Sequence, residues 1–239
     1  MFSRSEKYYD DIYSSMGKDY VAEANRLHEL IQKYKQTAGN TLLDVACGTG
    51  AHAGLLSKDY KVEGTDLNPD MLRIARKKHP DIHFAQADMR NLNLGRQYDV
   101  ITCLFSAIGY MKTKADLQKA IKRMSRHLLP GGVLLVEPWF TPEQWNVGRV
   151  STIFVDKPGL KVVRMSHGTQ RGRVSLLDFH YLAGTPKRIE HLVEHHEFGL
   201  FSHEEYMAAF VKTGLDVLHD PEGVDGRGLY IGIKHPAKQ

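Results

Sequence analysis

Cysteine is scarce in this chain, with only Cys47 and Cys103 among 239 residues, and both stand in apolar stretches. That excludes a disulfide framework and favours a reduced, cytoplasmic compartment. No apolar run reaches the roughly 18 residues that span a bilayer, and the start "MFSRSEKYYDDIY" lacks the apolar centre of a signal peptide. A membrane protein and a secreted one are therefore not expected. Charge of one sign is also lacking: the formal balance is only +4, which admits an anionic small substrate but does not argue for nucleic acid. There are no repeats and no low-complexity segments. The 42% apolar and 25% charged residues are those of an ordinary globular chain, long enough for one large domain with an insertion.

From residue 40 onward, apolar strands alternate with amphipathic helices. "TLLDVA", "KVEGTD", "IHFAQAD", "YDVITCLF" and "VLLVE" read as strands. Between them lie "GAHAGLLSKD", "NPDMLRIARKKH" (Asn68 as N-cap, Pro69 in the first turn) and "KADLQKAIKRMSRHL", the last stopped by "PGG". Such alternation predicts an α/β fold with a Rossmann-like parallel sheet. Ahead of it, "DYVAEANRLHELIQKYK" is an amphipathic helix with Val21, Ala24, Leu27, Leu30, Ile31 and Tyr34 on one face, within an N-terminal helical lid over residues 1–36. From about 139 to 198 the helices cease. "STIFVD", "KVVRMSH", "VSLLDFHYLAG" and "RIEHLVEHHEF" predict an inserted antiparallel β cap inside a single domain, 1–239. A capping box at Ser202 and Glu205 opens the last helix, and "LDVLHD" and "GLYIGIK" close the sheet.

The first strand runs into "GTGAHA", residues 48–53, which satisfies G-x-G-x-x-G/A. Alone, this turn serves a nicotinamide dinucleotide as well as S-adenosylmethionine (SAM). Carboxylates tip the balance. Asp44 precedes the turn, Asp66 ends the second strand where it can accept ribose hydroxyls, and Asp88 ends the third where it can accept from adenine. An anionic pyrophosphate is repelled by that set, whereas an ammonium and a sulfonium are attracted. Ala46, read as the last strand residue, is expected to be extended with negative φ, leaving Gly48 and Gly50 to make the turn. A metal reading of His191 and His195 is set aside, because a strand separates them by about 13 Å at ~3.3 Å per residue.

"LLDVACGTG", "VEGTDLNPDML", "ADMRNL", "YDVITCLFS" and "LLPGGVLLVE" together resemble the class I SAM-dependent methyltransferases in order and spacing. The resemblance implies a seven-stranded sheet whose last strand is antiparallel. "GKDY", "FSAIGY", "VEPWFTPE", "RMSHG", "DFHYL" and "GRGLYIG" look like the N-methyltransferases of nucleotide-linked amino sugars, such as those making the dimethylamino sugars of macrolides. Two departures are Phe140 in place of a second tryptophan and Phe2 where a tyrosine is expected.

That resemblance implies roles residue by residue. Tyr9 and Tyr20 close over the methionine end of SAM, with Ala46, Gly48 and Leu67 in its berth and Met89 and Leu104 on either side of adenine. Phe105, Ser106, Tyr110, Trp139, Ser166, His167 and His180 belong to the acceptor site, and Arg227 between two glycines holds an anion with its planar fork. Tyr9, Tyr110 and Glu137 orient the amine. No dedicated general base is expected, since alignment alone supplies about 7–11 kcal/mol and aromatic faces stabilise the growing ammonium by about 0.5–2 kcal/mol. The competing readings are another small amine or hydroxyl as acceptor, an RNA substrate, a SAM-binding module without catalysis, and a nicotinamide oxidoreductase. A nucleotide-linked sugar is the expected partner, with a homodimer left open and no metal, membrane or nucleic acid.

Overall fold

The computed structural model describes residues 5–236, so Phe2 lies outside the described residues. Two helices lead the chain, α1 (Tyr9–Ser15) and α2 (Tyr20–Tyr34), the second capped by Asp19, whose carboxylate accepts from the amides of Val21 and Ala22. β1 (Thr41–Val45), α3 (Ala51–Leu56), β2 (Lys61–Asp66), α4 (Pro69–Lys78), β3 (His83–Gln86), β4 (Tyr98–Cys103), α5 (Lys114–Arg126) and β5 (Leu128–Val136) follow. Four long strands come next, β6 (Val150–Lys157), β7 (Leu160–Arg171), β8 (Val174–Thr185) and β9 (Arg188–Gly199), and then α6 (His203–Val211), β10 (Leu215–Asp220) and β11 (Leu229–Lys234).

The strands form two sheets. The larger has the order β10-β11-β5-β4-β1-β2-β3, with β11 antiparallel to both of its neighbours. The smaller is the antiparallel β6-β7-β8-β9. This is the expected α/β architecture with its antiparallel last strand. Polar residues fix the helix starts: Asn68 accepts from the amides of Asp70 and Met71, and Ser202 and Glu205 form a complete capping box. Two details differ from expectation. "PGG" lies inside β5 rather than before it, because the pairing with β4 jumps from Tyr98↔Leu128 to Val100↔Val133 and the three residues bulge out of register. Val21 faces solvent at 54% exposure, and α2 instead buries Ala24, Leu27, Leu30 and Ile31.

The helices at the start of the chain tie the two sheets together. α2 packs its apolar stripe against Leu42, Val100 and Val133 of the large sheet, while Tyr8 and Ile12 pack with Val162, Phe179 and Tyr181 of the small one. The cleft between the sheets opens at the carboxyl ends of β1, β2 and β4, the usual ligand site of an open α/β sheet. Among the described residues, no helix is long and apolar enough to cross a membrane.

Candidate active site

The turn after β1 is tighter than its sequence suggests. Ala46 has φ +59°, so the expectation of an extended residue there is wrong. The chain must reverse toward the end of β2 at once, and the left-handed conformation begins at Ala46 and continues through Gly48 (φ +55°) and Gly50 (φ +77°). An L-residue loses roughly 1–2 kcal/mol in this region. Two flanking bonds hold the strain: the Cys47 amide donates to the Thr65 carbonyl and the Gly48 amide to Asp66 Oδ2, both at 2.9 Å. Asp66 also accepts from the Asn68 amide at 2.8 Å, so it organises the turn as well as facing the cleft.

A cavity of about 680 Å³ runs from this turn to the small sheet. Tyr9, Ala46, Gly48, Asp66, Leu67, Asp88, Met89 and Leu104 line one end. A smaller recess adjoins it, walled by Tyr9, Tyr20, Asp44, Gly48 and His52. Two observations there fit the methionine end of SAM. Among the described residues the buried Tyr20 hydroxyl has no hydrogen-bond partner, which leaves its donor available to an acceptor such as a carboxylate. A Cβ built on Gly48 meets no atom within 4 Å, so the space beside the backbone is open. Behind them Glu23, itself buried, receives Lys18 at 2.5 Å and His52 at 2.7 Å and joins α2 to α3.

Asp44 is buried and accepts from Thr102 Oγ at 2.9 Å. Burial pushes its carboxyl up to about 6, against the pull of His52 and Thr102, with Asp66 adding to the rise. A cationic ligand favours the ionised form. SAM affinity is therefore expected to climb about tenfold between pH 5 and pH 7, with proton release centred near pH 6. Titration calorimetry in buffers of different ionisation enthalpy measures both, and Asp44→Asn should flatten the dependence. Asp88 is placed differently from expectation. It lies two residues beyond β3, caps the short turn Met89–Asn91, and is gripped by Arg90 at 2.6–3.1 Å, which holds its carboxyl below the usual range.

The other end of the cavity is built on a second strained turn. Phe105 (φ +52°) and Ser106 (φ +57°) are both left-handed, and the fully buried Glu137 stabilises them by accepting from the Phe105 amide at 2.8 Å. Burial and Asp225 push the Glu137 carboxyl up to about 7, opposed by Arg227 and Lys18. Arg227 donates to Ser106 Oγ at 2.9 Å and lies 3.9 Å from Glu137, its guanidinium over Phe105, Trp139 and Phe140 at 5.6–5.8 Å. Gly226 and Gly228, at φ +84° and +85°, let it enter. Ser106 does not line the cavity as expected; it is buried, donates to the Pro138 carbonyl at 2.6 Å, and anchors Arg227.

From the small sheet, Ser166 and Gly168 of β7 and Leu177 and Phe179 of β8 face the cavity. His167 and His180, expected at the acceptor, are exposed on the opposite face, because side chains alternate and Ser166 and Phe179 hold the inward positions. Trp139 and Trp145 line the cavity, but Trp139 already stacks on Phe198 at 4.4 Å and donates to Ser175 at 2.9 Å. His191 and His195 are on β9, one beside His180 and the other bonded to Asp178.

Several contributors escaped the sequence reading. Tyr13 stands edge-on to Phe105 at 4.7 Å. Arg149 and Arg164 line the cavity, and among the described residues the buried Arg164 Nε has no partner. His196 backs Tyr110. The alternation of β7 offered one signal, since Arg164 shares the parity of Ser166.

The methyltransferase-domain family matches residues 42–132. A dTDP-3-amino-3,6-dideoxy-alpha-D-glucopyranose N,N-dimethyltransferase of Streptomyces fradiae is 42% identical over 227 residues, 94% of this chain and 89% of that protein. Among solved structures, DesVI of Streptomyces venezuelae superimposes with a TM-score of 0.92 at 38% identity, over 99% of this chain and 100% of that one. SAM-bound CalS10, an amino pentose methyltransferase from Micromonospora echinaspora involved in calicheamicin biosynthesis, gives 0.86 at 34% identity over 98% of each. With the glycine turn, the recess at Tyr20 and these likenesses in place, the chain belongs to the class I SAM-dependent methyltransferases, in the group that contains the sugar N,N-dimethyltransferases.

Proposed function

We propose that this enzyme methylates the amino group of a nucleotide-linked deoxyamino sugar. One observation carries the reading: a single cavity is lined by Gly48 and Asp66 and also by Arg149, Arg164 and Arg227. Three guanidinium groups suit a diphosphate, and the aromatic rings of Tyr9, Tyr13, Phe105 and Tyr110 line the same cavity. When bound, SAM supplies an electrophilic methyl on a sulfonium. The chain aligns the amine through Tyr9 and Tyr110, which line the cavity, and faces the growing ammonium with aromatic rings; Glu137, expected to orient the amine, is instead fully buried outside the lining and holds the Phe105 turn.

In this reading, residues 139–198 are the substrate cap and 1–36 the lid. Val150, Phe154, Met165, Leu182 and Ile189, exposed on the small sheet, form the surface that a homodimer would cover, and sedimentation velocity reads that state directly. The unbridged Cys47 and Cys103 favour a cytoplasmic setting. The test is a panel of dTDP-linked amino sugars incubated with SAM and followed by mass spectrometry. Products heavier by one or two methyl groups are expected, while hydroxyl analogues at the same sugar positions remain unchanged. Methylation of the hydroxyl analogues, or of none of the amines, refutes the proposal.

A further inference from the structure

A buried polar chain stands behind Tyr110, and methyl alignment makes no use of the residues beyond that phenol. Tyr110 lines the cavity, and its Oη is 2.9 Å from Nδ1 of His196. His196 is 1% exposed, with the rings of Phe179 and Phe198 packed around it. Its Nε2 faces Glu194 Oε2 at 3.6 Å. Glu194 is buried in turn and accepts from the Ser5 amide (3.2 Å), Ser5 Oγ (2.8 Å) and Tyr181 Oη (3.3 Å). A carboxylate at Nε2 favours the tautomer with its hydrogen on that side, which leaves Nδ1 bare to accept the Tyr110 hydroxyl.

We infer that His196 is a positioning residue through which Tyr110 removes the proton that the acceptor amine must lose before it can be methylated. The inference rests on the amino-sugar reading above. In the step, the N–H bond of the ammonium breaks and its electron pair stays on nitrogen. The hydrogen joins Tyr110 Oη as the phenolic hydrogen passes to Nδ1, and the positive charge comes to rest on an imidazolium beside the Glu194 carboxylate. The path runs backward after product leaves, because Tyr110 opens to the cavity. This departs from the expectation of a site without a proton acceptor.

The surroundings suit that role. Among the described residues, the titratable and charged groups around the ring are Tyr110 from the turn at 107–110, Glu194 on β9, Arg164 on β7 and, through Glu194, Tyr181 on β8. Burial holds His196 below the usual histidine range and Arg164 adds to that, with Glu194 opposing. Burial keeps the resting ring neutral with Nδ1 toward Tyr110, and the Glu194 carboxylate opposes that burial and favours the imidazolium once the proton arrives. Direct solvent access to the ring is closed, so the proton enters through the phenol.

The test compares full-length wild type with His196→Gln, Tyr110→Phe and the double variant, using the amino sugar that wild type methylates. His196→Gln is expected to lower kcat about tenfold or more near pH 7, with the sugar KM within about twofold, and to recover to within about twofold near pH 9, where the amine is already free. The double variant should be no slower than Tyr110→Phe. Imidazole NMR of the free wild type should show the Nε2–H tautomer for His196. An unchanged kcat near pH 7, an equal deficit at both pH values, additive losses in the double variant, or an Nδ1–H tautomer would each overturn the inference. A wild type that methylates no amino sugar at either pH overturns the acceptor reading, and the relay's role with it, whatever the tautomer.

Discussion

Gly48→Val is expected to abolish SAM binding while leaving a folded protein. The backbone at Gly48 is left-handed (φ +55°), where a β-branched side chain is strained, and roughly 1–2 kcal/mol or more of stability should go with it. A Cβ at this position meets no atom within 4 Å, so the first carbon of the new side chain enters open space beside the cavity lining. The valine therefore projects into the berth itself and fills the space where a ligand approaches the backbone. It also strains the bond from the Gly48 amide to Asp66, which holds the turn. Loss of affinity by about a hundredfold or more is anticipated, since even small overpacking costs about 1–3 kcal/mol and here it meets the ligand directly. Gly48→Ala should fall between. Calorimetric titration with SAM, beside a thermal melt, separates lost binding from lost fold, and undiminished affinity in the valine variant would place the donor elsewhere.

Arg227→Met should spare SAM affinity and lower kcat/KM for the nucleotide sugar by about a hundredfold or more, the scale of losing a charged partner from a desolvated anion (2–5 kcal/mol). The guanidinium stacks over three aromatic rings and bonds Ser106, so its fork is preset. Lysine keeps the charge but not the fork, and Arg227→Lys should recover only part of the activity. A second effect follows from Glu137. Its carboxyl already stands near 7 with Arg227 pulling it down, so removal of that cation raises it further and leaves it neutral at physiological pH. Steady-state kinetics for the sugar, with SAM affinity measured separately, reads the loss. Equal kcat/KM in wild type and Arg227→Met would take the diphosphate away from this arginine.

The parts that were legible in the sequence share a cause. The α/β alternation, the helix caps at Asn68 and Ser202, and the four strands of the small sheet are local patterns, each decided within a dozen residues. Alanine gives no hint of positive φ at position 46; only the demand of the turn, visible through the Cys47 and Gly48 bonds, puts it there. His167 and His180 differ from the inward positions by one residue of parity. Both faces of β7 carry apolar side chains, Val162 inward and Met165 outward, so hydrophobic alternation does not say which face is buried. Ser106 looked like part of a pocket because it follows Phe105, yet consecutive left-handed residues turn its hydroxyl toward Pro138 and Arg227 instead. The pairing of Tyr110 with His196 spans 86 residues, and no spacing rule reaches that far.

Asp66 and Met89 line the same chamber as Arg149 and Trp145, so in the proposed reading the donor and acceptor sites open into one space. A compound that tethers an adenosine to a nucleoside diphosphate across that span would surrender its freedom of tumbling once instead of twice. Its second half would then bind at an effective concentration set by the tether, about millimolar for a short flexible one. Inhibitor chemistry for this enzyme accordingly has a bridge length to optimise as well as two head groups.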